Sequence, residues 1–135
     1  MQTIRYELIP AQGTDGEVAV ITFDETNSPV NTMCRQWQQE LGEVTAQVLG
    51  DRERLGTALK GIVLASAKTS FFAGADLKAT MRLTPADAPI AFGEIERMKK
   101  HFRTLETLGI PVVACLNGAA LGGGWEVALV AHYRI

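Results

Sequence analysis

Between Asn117 and Gly124 the chain reads NGAALGGG, and Glu126 follows two residues after the last glycine. Gly122, Gly123 and Gly124 carry no side chain, so an atom of another molecule can come close to a main-chain N–H. Val112 to Leu116, just ahead, is an apolar run with β-branched members, and a helical pattern opens behind the glycines. The first N–H groups of a helix lack acceptors inside it and carry the positive end of its dipole. A strand, a glycine loop and a helix start, with a carboxylate beside them, suit chemistry on a developing oxyanion. The same residues also fit a tight turn with close helix–strand packing, and a glutamate in a first helical turn is a common dipole partner. From this stretch alone both readings stand. A phosphate or dinucleotide loop fits less well, because Gly118 followed by Gly122 to Gly124 matches neither G-x-G-x-x-G nor G-x-x-x-x-G-K-[ST].

A second stretch repeats the order. Gly61 to Ala67 (GIVLASA) reads as a strand that runs through Lys68, Thr69 and Ser70 into FFAGAD, residues 71–76. Ala73, Gly74 and Ala75 leave backbone N–H groups approachable, and Asp76 is placed to cap a helix containing Leu77 and Met81. An ordinary turn before a helix is the plainer alternative here. Other chemistries lack support. His101 and His132 lie far apart with no further ligand at metal spacing, and His101 among Lys99, Lys100 and Arg103 reads as a surface residue. Cys115 sits in an apolar run that is expected to bury it, which argues against a Cys/His nucleophile. Ser66 and Ser70 lack the G-x-S-x-G elbow.

The rest of the chain must position these loops. Residues 4–9 and 17–23 predict a β-hairpin around the turn-rich segment from Ala11 to Gly16. After a polar loop, Asn31 or Thr32 is expected to cap a helix with Met33, Trp37, Leu41, Val44 and Val48 on one face, which makes Trp37 a core residue. Leu83 to Pro89 reads as a loop. The helix after it carries Phe92, Ile95, Met98, Phe102, Leu105 and Leu108 in one stripe and ends at Gly109 and Pro111. Tyr133 to Ile135 reads as the start of another strand. Strands alternating with helices predict an α/β fold with parallel pairing. At 135 residues one domain is expected. A net charge of −2 provides no basic field for nucleic acid or an anionic membrane, and 47% hydrophobic with 21% charged residues fits a globular protein. Two cysteines, no signal-like N-terminus and no membrane-length apolar run predict a cytoplasmic protein with reduced thiols.

Two motifs in order, SFFAGADLK at 70–78 and NGAALGGGWE at 117–126, joined by TLETLGIPVVA at 104–114, resemble the crotonase (enoyl-CoA hydratase/isomerase) superfamily. The likeness runs through nearly the whole chain. It is greatest to the N-terminal hydratase/isomerase part of multifunctional fatty-acid oxidation α-subunits. The resemblance implies a spiral of β-β-α units that trimerises, and reversible addition of water to 2-enoyl-CoA thioesters. By the same likeness Ala75 and Gly123 supply the oxyanion-hole N–H groups, and Glu126 matches the first of two family glutamates. Ala73, Ala75, Asp76, Leu77, Lys78 and Gly122 would line the substrate and coenzyme A side. Coenzyme A enters as part of the substrate; no separate cofactor is implied, and NAD only if a dehydrogenase domain follows. The implied partners are an acyl-CoA and further copies of the chain, or a fatty-acid oxidation complex, without nucleic acid or membrane. Residues 1–135 are expected to be the N-terminal portion of an acyl-CoA-binding domain that continues past Ile135, where the second glutamate would lie. The alternatives are an enoyl-CoA isomerase, another crotonase-type acyl-CoA enzyme, or a non-catalytic acyl-CoA binding module. Trp125 stands where many members carry a smaller residue, which implies a reshaped acyl pocket.

Overall fold

The computed structural model describes residues 1–135. Its strands form one sheet in the order β1 (Ile4–Pro10), β2 (Glu17–Phe23), β3 (Leu59–Ser66), β4 (Val112–Ala114) and β5 (Tyr133–Arg134). The predicted hairpin is present as the antiparallel β1–β2 pair, and every later pairing is parallel. Parallel neighbours need crossovers, and helices provide them. Helix α1 (Arg35–Leu55) joins β2 to β3, α2 (Leu77–Thr80) and α3 (Ala88–Glu106) lie between β3 and β4, and α4 (Gly123–Leu129) leads to β5.

The carboxyl ends of β2, β3 and β4 therefore lie side by side, and each releases a loop there. These loops pair again beyond the sheet. Thr32 bridges Gly74 and Phe72 bridges Ala120, both in parallel sense. This second ladder is fastened to the core by aromatic rings. Phe23, Trp37, Phe71 and Phe72 are all at most 2% exposed. Phe72 meets Phe23 edge-on at 5.3 Å and Trp37 at 5.2 Å between ring centroids, and Phe71 meets Phe23 at 5.8 Å. Such pairs add about 0.5–1.5 kcal/mol each beyond the area they bury.

The α1 stripe is as predicted: Met33, Trp37, Leu41, Val44 and Val48 are all buried. Its cap is not. Cys34 caps α1, its Sγ accepting from Trp37 N at 3.5 Å, because Thr32 is held in the bridge to Gly74 and the Asn31 side chain is buried in other bonds. The α3 stripe divides. Leu105 is buried and Met98, Phe102 and Leu108 pack against the core, but Phe92 is 66% and Ile95 49% exposed. The expected loop before α3 ends earlier, in a short 3-10 turn over Pro85–Asp87, with Pro89 in the first turn of α3. That position suits proline because the N–H it lacks would have no helical acceptor. Cys115 is half-buried rather than buried, since β4 stops at Ala114. His101 is not a plain surface residue either. It is partly buried between α3 and α1, its ring facing Gly42, and burial, followed by the charges of Lys100 and Arg97, lowers its pKa below the ordinary histidine value. No helix is long and apolar enough to cross a membrane.

One charged group fixes the chain's start to α1. Glu40 is 1% exposed, and its carboxylate accepts from Gln2 N, Thr3 N, Thr3 Oγ1, Ile4 N and Gln36 Nε2 at 2.6–3.0 Å. Burial alone would raise its pKa; the hydrogen bonds from Gln2, Gln36 and Thr3 outweigh that and lower it from 4.5 to about 2. The folded state therefore favours the ionised form. Its contribution is complete above the unfolded pKa and is lost as pH falls from about 4.5 through about 2. Glu40→Gln, which turns an amide toward backbone donors, is expected to cost about 3 kcal/mol at neutral pH. In urea unfolding, the gap between wild type and variant should shrink steadily from pH 4.5 to pH 2; a gap independent of pH would show that the carboxylate is not what binds the strand.

Candidate functional site

The three loops at the carboxyl ends of β2, β3 and β4 are bonded into one unit. Ala73 N donates to Asn31 O at 2.9 Å, and Met33 N donates to Gly74 O at 2.8 Å. On the other side Phe72 N donates to Ala119 O at 3.1 Å, and Leu121 N donates to Phe72 O at 3.0 Å. The two stretches singled out by sequence are thus neighbours, although about fifty residues separate them in the chain.

Two peptide units in this unit share an arrangement. In a trans peptide the C=O and N–H point in opposite directions. The carbonyl of Gly74 is held by Met33 N, so the Ala75 N–H of the same peptide is turned away from residue 33. The carbonyl of Gly122 accepts from Trp125 N at 2.9 Å and Glu126 N at 3.2 Å, so the Gly123 N–H points out of the start of α4. Neither Ala75 N nor Gly123 N has an acceptor in the protein. Each is preceded by a glycine in the left-handed region, Gly74 at φ +103° and Gly122 at φ +49°. Gly74 also lies close against the second loop. A Cβ there would meet Leu121 O at 2.6 Å and Gly123 N at 3.4 Å, which sets the two peptides next to each other. Beneath Gly123 lies the Met33 thioether, whose Sδ is 2.6 Å from a Cβ position and would have to shift to admit a side chain.

Glu126 lies three residues beyond Gly123 on α4, on the same side of the helix. Its carboxylate is exposed and bonded to no protein group, so it is free to engage a ligand. Asp76 has a local task as well: its Oδ1 accepts from Ala79 N at 3.1 Å and caps α2. Ala75, Leu77 and Lys78 are exposed beside it, Ala73 is half-buried, and Gly122 is exposed across from them. The site residues predicted from sequence thus fall on two adjoining loop-to-helix corners. Two concavities lie elsewhere, one of about 280 Å³ between α1 and α3 lined by Arg35, Gly42, Arg97 and His101 among others, and one beside Gly109 and His132. Sequence reasoning did not single out Phe71, Phe72 or Met33 as supports of the site; the paired aromatics directly before AGAD are the signal it had. Nor did it find a role for His132, whose Nδ1 accepts from Val112 N at 3.0 Å and ties the end of α4 to β4.

The glycine at position 122 isolates the backbone requirement, since a Cβ there would meet nothing within 4 Å. Gly122→Ala is expected to destabilise the fold by about 1–2 kcal/mol purely through its positive φ. Gly74→Ala adds a clash with Leu121 O and is expected to cost more. Denaturant midpoints of the two variants check this order, and equal midpoints would remove the claimed contact between the loops.

The enoyl-CoA hydratase/isomerase family matches residues 13–135. A fatty acid oxidation complex subunit alpha from Shewanella halifaxensis is 39% identical over 125 residues, covering 90% of this chain and 16% of that protein. A protein of the same description from Shewanella frigidimarina is 37% identical over 122 residues, with 90% and 16% covered. Among solved structures, an enoyl-CoA hydratase from Bacillus anthracis superposes with a TM-score of 0.74 at 25% identity, covering 98% of this chain and 46% of its own. An enoyl-CoA hydratase/carnithine racemase from Magnetospirillum magneticum gives 0.77 at 25% identity, with 99% and 46% covered. The chain thus spans 16% of the length of these curated relatives and just under half of the two solved chains. The fold is the α/β crotonase fold of repeating β-β-α units. Since the family match takes in both loop-to-helix corners and strands β2 to β5 of the sheet that carries them, the chain belongs to the enoyl-CoA hydratase/isomerase family.

Proposed function

We propose that this chain carries the oxyanion-binding part of an enoyl-CoA hydratase acting in fatty-acid β-oxidation. The observation that supports it most is the pair of adjoining amides, Ala75 N–H and Gly123 N–H, each left without an acceptor by a carbonyl held elsewhere. When water adds to the β-carbon of a 2-enoyl thioester, negative charge collects on the carbonyl oxygen. Two fixed N–H donors directed at that oxygen stabilise the charge without reorganising, and loss of one donor of this kind typically costs about 3–4 kcal/mol of barrier lowering. Glu126, free and one turn from Gly123, is the general base toward water and the acid toward the α-carbon. Ala73, Asp76, Leu77, Lys78 and Gly122 flank the thioester on the coenzyme A side, with Asp76 acting through the α2 cap. The setting we assign is the cytoplasm, as a homotrimer or a fatty-acid oxidation complex subunit. The free thiols of Cys34 and Cys115 and the description of the Shewanella relatives support that reading.

The test is hydration of crotonyl-CoA by the protein as translated from its gene, followed by loss of the enoyl-thioester absorbance. Glu126→Gln keeps the size of the side chain and removes the base. Its kcat is expected to fall about 10²–10⁴-fold while KM stays near the wild-type value. Near-normal turnover in the variant would end the assignment of Glu126, and no hydration by the wild type would end the proposed activity.

A further inference from the structure

Asn31 stands at the junction of everything that sets the direction of the Ala75 amide. It is 1% exposed, and each polar atom of its side chain is bonded. Oδ1 accepts from Glu25 N at 3.1 Å. Nδ2 donates to Ser66 Oγ at 2.9 Å and Phe71 O at 3.1 Å, and lies 3.3 Å from Phe23 O. One amide thereby joins the end of β2, the end of β3 and the donor loop. Its main chain continues the link, because Asn31 O accepts from Ala73 N at 2.9 Å. Two residues on, Met33 N holds the Gly74 carbonyl at 2.8 Å, the bond that turns the Ala75 N–H outward. The flanking Thr32 is pinned in turn, its N–H and hydroxyl both donating to Glu25 Oε2 at 3.0 and 2.9 Å.

The side-chain chemistry required here is narrow. Position 31 faces two carbonyls and a hydroxyl on one side and an N–H on the other, so it needs donors and an acceptor in one planar group. An aspartate would turn an oxygen toward the Phe23 and Phe71 carbonyls. An alanine would leave buried acceptors unpaired, which costs more than the loss of an exposed bond. We infer that Asn31 is a positioning residue, whose side-chain amide fixes the 71–75 loop so that the Ala75 N–H is preorganised toward a thioester oxygen. This rests on the proposed oxyanion role of Ala75.

The experiment uses Asn31→Ala and, at the other end of its shortest bond, Ser66→Ala. Amide hydrogen exchange is compared between residues 71–76 and the buried face of α1 around Val44 and Val48. Binding of butyryl-CoA, a saturated thioester, is compared with the enolate absorbance of bound acetoacetyl-CoA, whose enolate oxygen mimics the charged species. In Asn31→Ala, exchange in 71–76 should rise by about tenfold or more, the scale of one lost buried hydrogen bond, with α1 unchanged. Butyryl-CoA affinity should stay within about threefold while the enolate signal and kcat fall by about tenfold or more at nearly constant KM. Ser66→Ala should show the same split, but it also removes the bonds of Ser66 Oγ to Ser70 O at 2.7 Å and from Lys68 N at 3.1 Å, so Asn31→Ser, which leaves that hydroxyl in place, carries the test if Asn31→Ala does not fold. Exchange that is unchanged in 71–76, or that rises equally in α1, overturns the proposal. So does loss of butyryl-CoA affinity in step with the enolate signal. If wild-type protein binds neither thioester, the oxyanion reading fails instead. The exchange comparison then decides alone whether Asn31 fixes the loop, local acceleration supporting it and none overturning it.

Discussion

A planar peptide cannot turn its N–H without turning its C=O, and two peptides of this chain have their carbonyls tied down. At Gly74–Ala75 the tie is an amide of the neighbouring loop; at Gly122–Gly123 it is the first turn of α4. The free N–H groups are a consequence of satisfied carbonyls. An unpaired donor in a flexible loop would turn to find water or a local acceptor. Here the turning is blocked by bonds already made.

The ties hold because the loops leave adjacent parallel strands at the same end of the sheet and then pair with each other. Parallel pairing of β2, β3 and β4 makes the three carboxyl ends neighbours, the place where open α/β sheets present ligand sites. Burial of Phe71 and Phe72 against Phe23 and Trp37 then anchors the middle loop. Full burial of side chains of this size contributes about 1.5–3 kcal/mol each. The start of α4 comes so close that a Cβ on Gly124 would lie 2.3 Å from Phe72 O. Close approach and left-handed backbone are thus separate reasons for glycine in one short loop, the first at position 124 and the second at 122.

The charged groups are distributed by the same logic. Glu40 ties the start of β1 to α1 through main-chain donors, and Asp24 is paired with Lys68 at 2.9 Å and Arg5 at 3.1 Å beside the strand ends. The hydrogen bond from Lys68, ahead of its charge and that of Arg5, lowers the Asp24 pKa below the ordinary carboxylate value. Glu126 has no such partner. Carboxylates that hold the scaffold accept bonds from protein donors, as does Asp76 at the start of α2, and Glu126, one turn from Gly123, does not.

Local sequence determined a good deal. Alternation set the hairpin, the period of apolar residues set the buried face of α1, and glycine, alanine and a capping aspartate marked both corners where backbone is exposed before a helix. These features depend on residues a few positions apart, and a reading by spacing can reach them. Only the tertiary structure decided the rest. Whether Phe92 and Ile95 are covered depends on what lies opposite the first turns of α3, which no period within α3 encodes. The displacement of the α1 cap from Asn31 or Thr32 to Cys34 depends on a bridge to Gly74 some forty residues away. The adjacency of Ala75 and Gly123 depends on parallel strand order, which fixes which loops meet. Local spacing can show that an amide is uncovered, but its direction is set by the acceptor that holds the carbonyl of its own peptide. At Gly74 that carbonyl is held by Met33, a residue distant in the chain, so only the folded structure could decide where the Ala75 N–H points.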